Sequence, residues 1–271
     1  MITVVGANGF VGKHLVFELE RQNLEFQILK KDSVSKGQIE LGTLVYCSGN
    51  GDCAKTPLNV LDANTTYLSQ LLKQHRISKI IYLSSTRLYM GSEDSEEESD
   101  LQVLSLDERK LFNVSKIVSE ELLRCGTTPY VILRPSNIYG DAFESPLFLP
   151  SIVRDALIYK TILMYISPSY SKDYVSVFDL VDVIIMSALN DQIVNRTINV
   201  ASGRNITAQQ IADTISLETG CSVLWKGSSS DDYFPETDIT AMKDIFSIEP
   251  RNVLDDLPVM ISSFKRKLVD A

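Results

Sequence analysis

The chain has 271 residues, 44% of them hydrophobic and 23% charged, with a net charge of −9. Such values fit a soluble globular protein of one large or two modest domains, and they weigh against nucleic acid as a partner, because its phosphates would be repelled. The four cysteines (Cys47, Cys53, Cys125, Cys221) show no C-x-x-C spacing, no run has membrane-spanning length, and no charged-then-apolar leader opens the chain, so free thiols, no membrane association and a cytoplasmic location are expected.

The first stretch organises the rest. Met1–Val5 reads as a buried strand, Gly6-Ala7-Asn8-Gly9-Phe10-Val11-Gly12 as a glycine turn, and Lys13 to Gln22 as an amphipathic helix carrying Leu15, Val16 and Leu19. Three glycines at spacing three let the backbone turn tightly and approach a pyrophosphate. The N–H groups and dipole at the helix start then favour its charge. Gly6, Asn8, Gly9, Phe10, Val11 and Gly12 are therefore candidate dinucleotide contacts.

Phe26–Leu29 is the second strand. At its end Lys30 stands where an acid would bind the adenosine ribose, with Asp32 two residues on. An ammonium there favours a 2′-phosphate, so NAD(P) is expected with a lean to NADP; two solvated lysines at a strand end are the alternative. Gln38–Leu41 reads as a brief strand. Thr43–Cys47 is a buried strand closed by Ser48-Gly49-Asn50-Gly51, at the strand end where open α/β sheets bind ligands.

Asn59 to Arg76 has helical periodicity, Lys79–Leu83 is a strand ending in Ser84-Ser85-Thr86, and 91–100 is an acidic loop. A helix from Asp107 to Arg124 places Phe112, Lys116 and Glu120 on one face. Tyr130–Leu133 is a strand that Arg134-Pro135 is expected to end. Further on, helices are expected at Ile152–Tyr159, Asp179–Ala188, Thr207–Glu218 and Asn252–Leu268, with strands at Ile162–Ile166, Tyr174–Val177, Thr197–Val200 and Ser222–Trp225. A turn is expected over Ser228–Asp232. Strands separated by helices imply a Rossmann-type doubly wound parallel sheet, an α/β fold. Residues 1–150 form the expected dinucleotide-binding domain, and 151–271 a smaller substrate lobe interleaved with it. His14 and His75 lack ligand spacing, so no metal is expected.

Several segments together resemble the extended short-chain dehydrogenases/reductases, in particular the NAD(P)-dependent epimerase/dehydratase group acting on nucleotide sugars. Tyr46-Cys47-Ser48-Gly49 resembles that group's fourth-strand end, and Asn64 falls at its helical asparagine. Ser84-Ser85-Thr86-Arg87-Leu88-Tyr89 resembles its serine-serine-x-x-valine-tyrosine segment. Ser115-Lys116 with Glu120 matches the latter part of tyrosine-x-x-x-lysine and a following glutamate. Arg134-Pro135-Ser136-Asn137-Ile138-Tyr139-Gly140 is similar to arginine-proline-x-asparagine-x-tyrosine-glycine. Lys172-Asp173-Tyr174-Val175-Ser176-Val177-Phe178-Asp179 resembles arginine-aspartate-tyrosine-x-x-valine-x-aspartate, with lysine for arginine.

The resemblance implies catalytic roles for Ser85 and Lys116, cofactor contacts from Ser48, Gly49, Asn64 and Lys116, and substrate-diphosphate contacts from Asn137 and Lys172. It also implies a homodimer through helix pairs, which no residue pattern requires. The family's tyrosine position is Phe112, whose ring cannot move a proton. General acid–base help is worth on the order of 10²–10⁴-fold, so three readings follow. A substitute donor serves (Tyr89, Tyr82, Lys116, Cys47 or water), the step has other proton needs, or the protein binds nucleotide sugar and cofactor without turnover as a sensor, scaffold or partner subunit. Ser85-Thr86-Arg87 supplies no carboxylate for water elimination, so a ketoreductase or epimerase is expected ahead of a 4,6-dehydratase.

Overall fold

β1 (Ile2–Val5) lies between β2 (Phe26–Leu29) and β3 (Thr43–Tyr46), parallel to both. A computed structural model describes residues 1–30, 37–227 and 232–269. The sheet continues through β4 (Lys79–Leu83) and β5 (Tyr130–Pro135) to a later strand, Arg196–Val200, and all six strands are parallel. Helix α1 (Phe10–Arg21) joins β1 to β2. Between β3 and β4 come α2 (Pro57–Leu61), a π-helical turn (Asp62–Thr66) and α3 (Tyr67–Gln74). α4 (Lys110–Arg124) precedes β5.

The strands are apolar on both faces, as a sheet covered by helices on each side requires. Alternate residues split between two cores, because successive strand side chains point to opposite faces. Val4, Val45, Ile81 and Val131 join Leu15 and Leu19 of α1. Val5, Leu44, Tyr46, Ile80 and Ile132 instead join Leu68 and Leu71 of α3 and Leu123 of α4.

The chain then alternates between this sheet and a second core. β6 (Asn137–Tyr139), α5 (Phe148–Ile158), β7 (Thr161–Met164) and β8 (Ser171–Ser176) lead away. α6 (Val177–Leu189) and β9 (Arg196–Val200) return to the first sheet and its core. β10 (Asn205–Thr207), α7 (Ala208–Thr219) and β11 (Ser222–Trp225) leave again, α8 (Thr240–Phe246) packs on the first core, and α9 (Val253–Val269) closes the second. The strand orders outside the main sheet are β10-β8-β6 and β11-β7. α7 begins as its sequence suggests: Thr207 caps it, and Gln210 completes a capping box.

Three expectations need correction. Gln38–Leu41 is not a strand, because only Glu40 makes an isolated bridge, to Arg76. The helix expected over 59–76 is interrupted by the π turn that carries Asn64. Arg134-Pro135 does not end β5, because Pro135 still pairs in register with Val200 and needs no N–H of its own there. α8, β6 and β10 were not anticipated. Lys31 to Lys36, including Asp32, and Ser228 to Asp231 lie outside the described residues.

Candidate active site

The glycine turn is dictated by sterics. Gly6 has φ +83°, and a Cβ there would fall 2.6 Å from the Ser48 nitrogen; a Cβ on Gly12 would fall 2.1 Å from the Gly6 carbonyl oxygen. Neither position admits a side chain without moving backbone. Gly9 is the N-cap of α1 and donates its N–H to the Gly6 carbonyl at 3.0 Å. Asn8 and Gly9 are exposed, Phe10 and Val11 open the helix, and no acidic residue occupies the first turn. That end is therefore open, with its positive dipole uncompensated, and suits a pyrophosphate. Lys30 is exposed at the end of β2.

The loop after β3 is tied to Asn64. The Asn50 backbone N–H donates to Asn64 Oδ1 (3.1 Å), while Asn64 Nδ2 donates to the Asn50 carbonyl (3.0 Å) and to Ser115 Oγ (2.9 Å). Ser119 Oγ donates to the Asn64 carbonyl at 2.8 Å. Asn64 lies within the π turn, a distortion frequent at functional sites. Ser48 and Gly49 thus lie on a loop fixed to α4. A Cβ on Gly49 would stand 3.4 Å from Asn64 Oδ1 and 3.6 Å from Lys116 Nζ.

Lys116 is buried. Its Nζ donates to the Leu83 carbonyl at 2.6 Å and faces the rings of Tyr82 (4.7 Å to the centroid) and Phe112 (5.8 Å). Burial pulls its pKa from 10.5 down to about 7, against the upward pull of Glu120 and Cys47. An ammonium has three donors, so the Leu83 bond leaves two. Phe112 lies one helical turn before Lys116, and Arg109 places its guanidinium carbon 4.9 Å from the Phe112 ring centroid.

Ser85 caps the short helical turn Thr86–Tyr89, its hydroxyl accepting the Arg87 N–H at 3.1 Å. It lines a cavity of about 210 Å³ together with Arg87, Arg109, Asn137, Lys172 and Phe234. Asn137, Lys172 and Arg109 also border an adjoining, more apolar cavity of about 380 Å³ that reaches Tyr170 and Phe148. Lys172 Nζ faces the rings of Tyr170 (4.9 Å) and Phe234 (5.1 Å). Burial, aided by the charge of Arg87, lowers its pKa from 10.5 to about 8. Arg87 is paired with Asp107 at 2.7 Å.

Other residues of the resembling segments act as framework. Arg134 is buried and forks onto Glu120, Nε to Oε1 at 3.0 Å and Nη2 to Oε2 at 2.6 Å. Burial opposes the Glu120 charge, yet Arg134 holds its carboxyl below the usual range. The pair joins the end of β5 to α4 and so fixes the helix that carries Lys116. Asp173 accepts the Ser202 backbone N–H at 2.9 Å and that of Arg204 at 3.0 Å, besides the Ser136 hydroxyl. It anchors the strand that presents Lys172.

Tyr89 also lines the cavity. Its hydroxyl donates to Asn199 Oδ1 at 2.9 Å and accepts from Arg134 Nη1 at 2.6 Å, and burial pushes its pKa up to about 12. The proton is committed within the protein. Tyr82 likewise donates to the Asn64 carbonyl (3.1 Å). Burial pushes the Cys47 thiol up to about 12. Arg87 and Arg109 line the cavity without being singled out by the sequence motifs. The signal for Arg109 was available: it precedes Phe112 by three residues on one helical face.

The chain belongs to the NAD dependent epimerase/dehydratase family, whose model matches residues 40–201. That stretch contains Ser85, Phe112, Lys116, Asn137 and Lys172 but not the glycine turn, which rests on its geometry. A curated dTDP-4-dehydro-6-deoxy-D-allose reductase from Streptomyces sp is 25% identical over 228 residues, 66% of this chain and 70% of the relative. A putative UDP-glucose 4-epimerase from Methanocaldococcus jannaschii is 22% identical over 264 residues, 81% of this chain and 83% of the relative. Among solved structures, MoeE5 in complex with UDP-glucose and NAD superimposes with a TM-score of 0.83 at 17% identity, covering 98% of this chain and 99% of that one. Among the described residues, no helix is long and apolar enough to cross a membrane, and no cluster of three metal-ligating side chains occurs.

Proposed function

We propose that this protein is an NAD(P)-dependent oxidoreductase or epimerase acting on a nucleotide-linked sugar. The observation that carries the reading is the position of Phe112. Its ring is shared by Lys116, which is buried beside the Gly49–Asn64 loop, and by Arg109, which lines the cavity of Asn137 and Lys172. A cofactor laid on the glycine turn and a sugar nucleotide in the cavities would meet there. The family membership and the ligands of MoeE5, UDP-glucose and NAD, agree with that pairing.

The cofactor would supply hydride exchange at the sugar carbon. The chain's own residues bind, orient and handle the proton. The glycine turn and α1 hold the pyrophosphate, with Lys30 favouring the 2′-phosphate of NADP. Ser48, Gly49 and Asn64 shape the wall at the nicotinamide end, and Lys116 Nζ directs its remaining N–H groups to the ribose. Ser85 Oγ bonds the reacting oxygen. Phe112 packs where a phenol would act, so the proton moves at Lys116 Nζ, whose lowered pKa suits exchange near neutrality. Asn137 and Lys172 take the diphosphate, and the apolar cavity beyond takes the base. The first sheet thus serves the cofactor and the second core the sugar nucleotide.

A ketoreductase or epimerase fits better than a dehydratase. Thr86 and Arg87 after Ser85 supply no carboxylate, and the one acid lining the cavity among the described residues, Asp173, is bound to backbone N–H groups and Ser136. Exposed Val114 and Val118 of α4, with Leu58 and Leu61 of α2, suit a homodimer through paired helices.

A second reading is favoured by one observation, the missing hydroxyl at Phe112: a protein that binds both ligands without turnover. Incubation with NAD(P) or NAD(P)H and a panel of UDP- and dTDP-linked sugars, with chromatography of the products, separates the two. The enzyme reading expects product above a Lys116→Ala control; product no greater than that control overturns it in favour of the binding protein.

A further inference from the structure

Arg109 is the cation that the proposed function leaves without a task. Lys172 and Asn137 are assigned to the diphosphate, and Arg87 is paired with Asp107. Among the described residues, no carboxylate reaches within ion-pair distance of the Arg109 side chain. Asp107, two residues before it, is fully used. Its Oδ1 accepts Arg87 Nη2 (2.7 Å) and the Arg109 backbone N–H (2.9 Å), and its Oδ2 accepts Asn113 Nδ2 (2.8 Å).

The guanidinium is also fixed in place. It stacks 4.9 Å from the Phe112 ring centroid, and a Cβ on Gly51 would fall 2.7 Å from its Nη2. It therefore sits between the 48–51 loop and the two cavities it lines, over the ring of Phe112 one helical turn from Lys116. A planar, forked guanidinium with no ion-pair partner among the described residues matches a carboxylate bidentately, whereas neutral sugar hydroxyls make little use of its charge.

We propose that Arg109 selects nucleotide-linked sugars that bear a carboxylate beside the reacting carbon, of the uronic acid type. This rests on the reading of the cavities as a nucleotide-sugar site. It assigns Arg109 to substrate specificity, and it explains a ring at position 112 with no hydroxyl to compete for the guanidinium.

Calorimetric titration of the full chain with UDP-glucose and UDP-glucuronic acid, and with the corresponding dTDP pair, tests this. The wild type should bind the uronate of at least one pair roughly tenfold or more tighter than the neutral sugar, as expected for a charge-assisted pair. Arg109→Gln should abolish the preference and leave the neutral sugar within about twofold, and Arg109→Lys should keep part of it. Equal weakening of both sugars in Arg109→Gln would make Arg109 a diphosphate clamp and overturn the inference. So would binding of both sugars by the wild type without preference, a result that leaves the nucleotide-sugar reading standing. Binding of none of the four ligands would overturn that reading itself. The wild-type comparison decides even where a variant fails to fold.

Discussion

Replacing Lys116 by methionine removes a buried amine while keeping most of its stem, and the consequence for stability can be worked from the site. The folded-state pKa is about 7 against 10.5 for an ordinary lysine. Between those values the unfolded chain holds a proton that the folded chain has released, so unfolding takes up protons and stability rises with pH. The penalty of burying the ammonium is full below about pH 7 and gone above about pH 10.5. A gap of this size corresponds to about 5 kcal/mol at most, taking roughly 1.36 kcal/mol per pKa unit. Urea unfolding of the wild type and Lys116→Met without cofactor, from pH 6 to pH 10.5, isolates the effect in their difference, because other titrating groups cancel. The variant should be the more stable by several kcal/mol at pH 6, and the advantage should shrink steadily toward pH 10.5. Parallel stability curves would refute the argument and place an ordinary, solvated lysine at position 116.

The remaining predictions concern the framework, the missing hydroxyl and the cofactor. Glu120→Gln leaves the fully buried Arg134 without its carboxylate and should cost about 3–5 kcal/mol in denaturant unfolding; a loss below about 1 kcal/mol would mean the pair does not fix α4. Phe112→Tyr restores a phenol one turn from Lys116 and should raise turnover at least tenfold, within the range of general acid–base effects, read by product chromatography. Unchanged turnover would mean that ring does not face the reacting oxygen. Lys30→Glu should weaken NADPH binding roughly tenfold, as for loss of a charge-assisted contact, while leaving or improving NADH binding, measured by cofactor fluorescence. Equal effects on both cofactors would remove Lys30 from the 2′-phosphate site.

Much of the fold was legible because its signals are local. The buried parallel strands are short apolar runs such as Lys79–Leu83, bounded by polar turns, and the glycine turn is a backbone requirement written directly in residue type. The interruption at Asn64 was not legible, since a π turn keeps the same apolar stripe on either side of it. Strand β6 was hidden because three residues after a proline carry no periodicity; it exists through pairing with β8, a contact set by the tertiary fold. At the site, the lysine and serine could be read from their segments. The engagement of Tyr89 by Asn199, 110 residues away, could not. Nor could the burial of Arg134 against Glu120, because an arginine at a strand end is usually solvated. Arg109 lies one turn from Phe112, but a charged residue near a helix start is ordinarily exposed, so its sequence position alone does not mark it.

The central claim is that cofactor and nucleotide sugar meet beside Phe112. A crystal structure with NADP and a nucleotide sugar bound tests it most directly. The account predicts the pyrophosphate on the Gly6–Gly12 turn, the nicotinamide beside Phe112 within reach of Lys116 Nζ, and the substrate diphosphate against Asn137 and Lys172. A nicotinamide distant from Lys116, or a Phe112 ring turned away from both ligands, would contradict it.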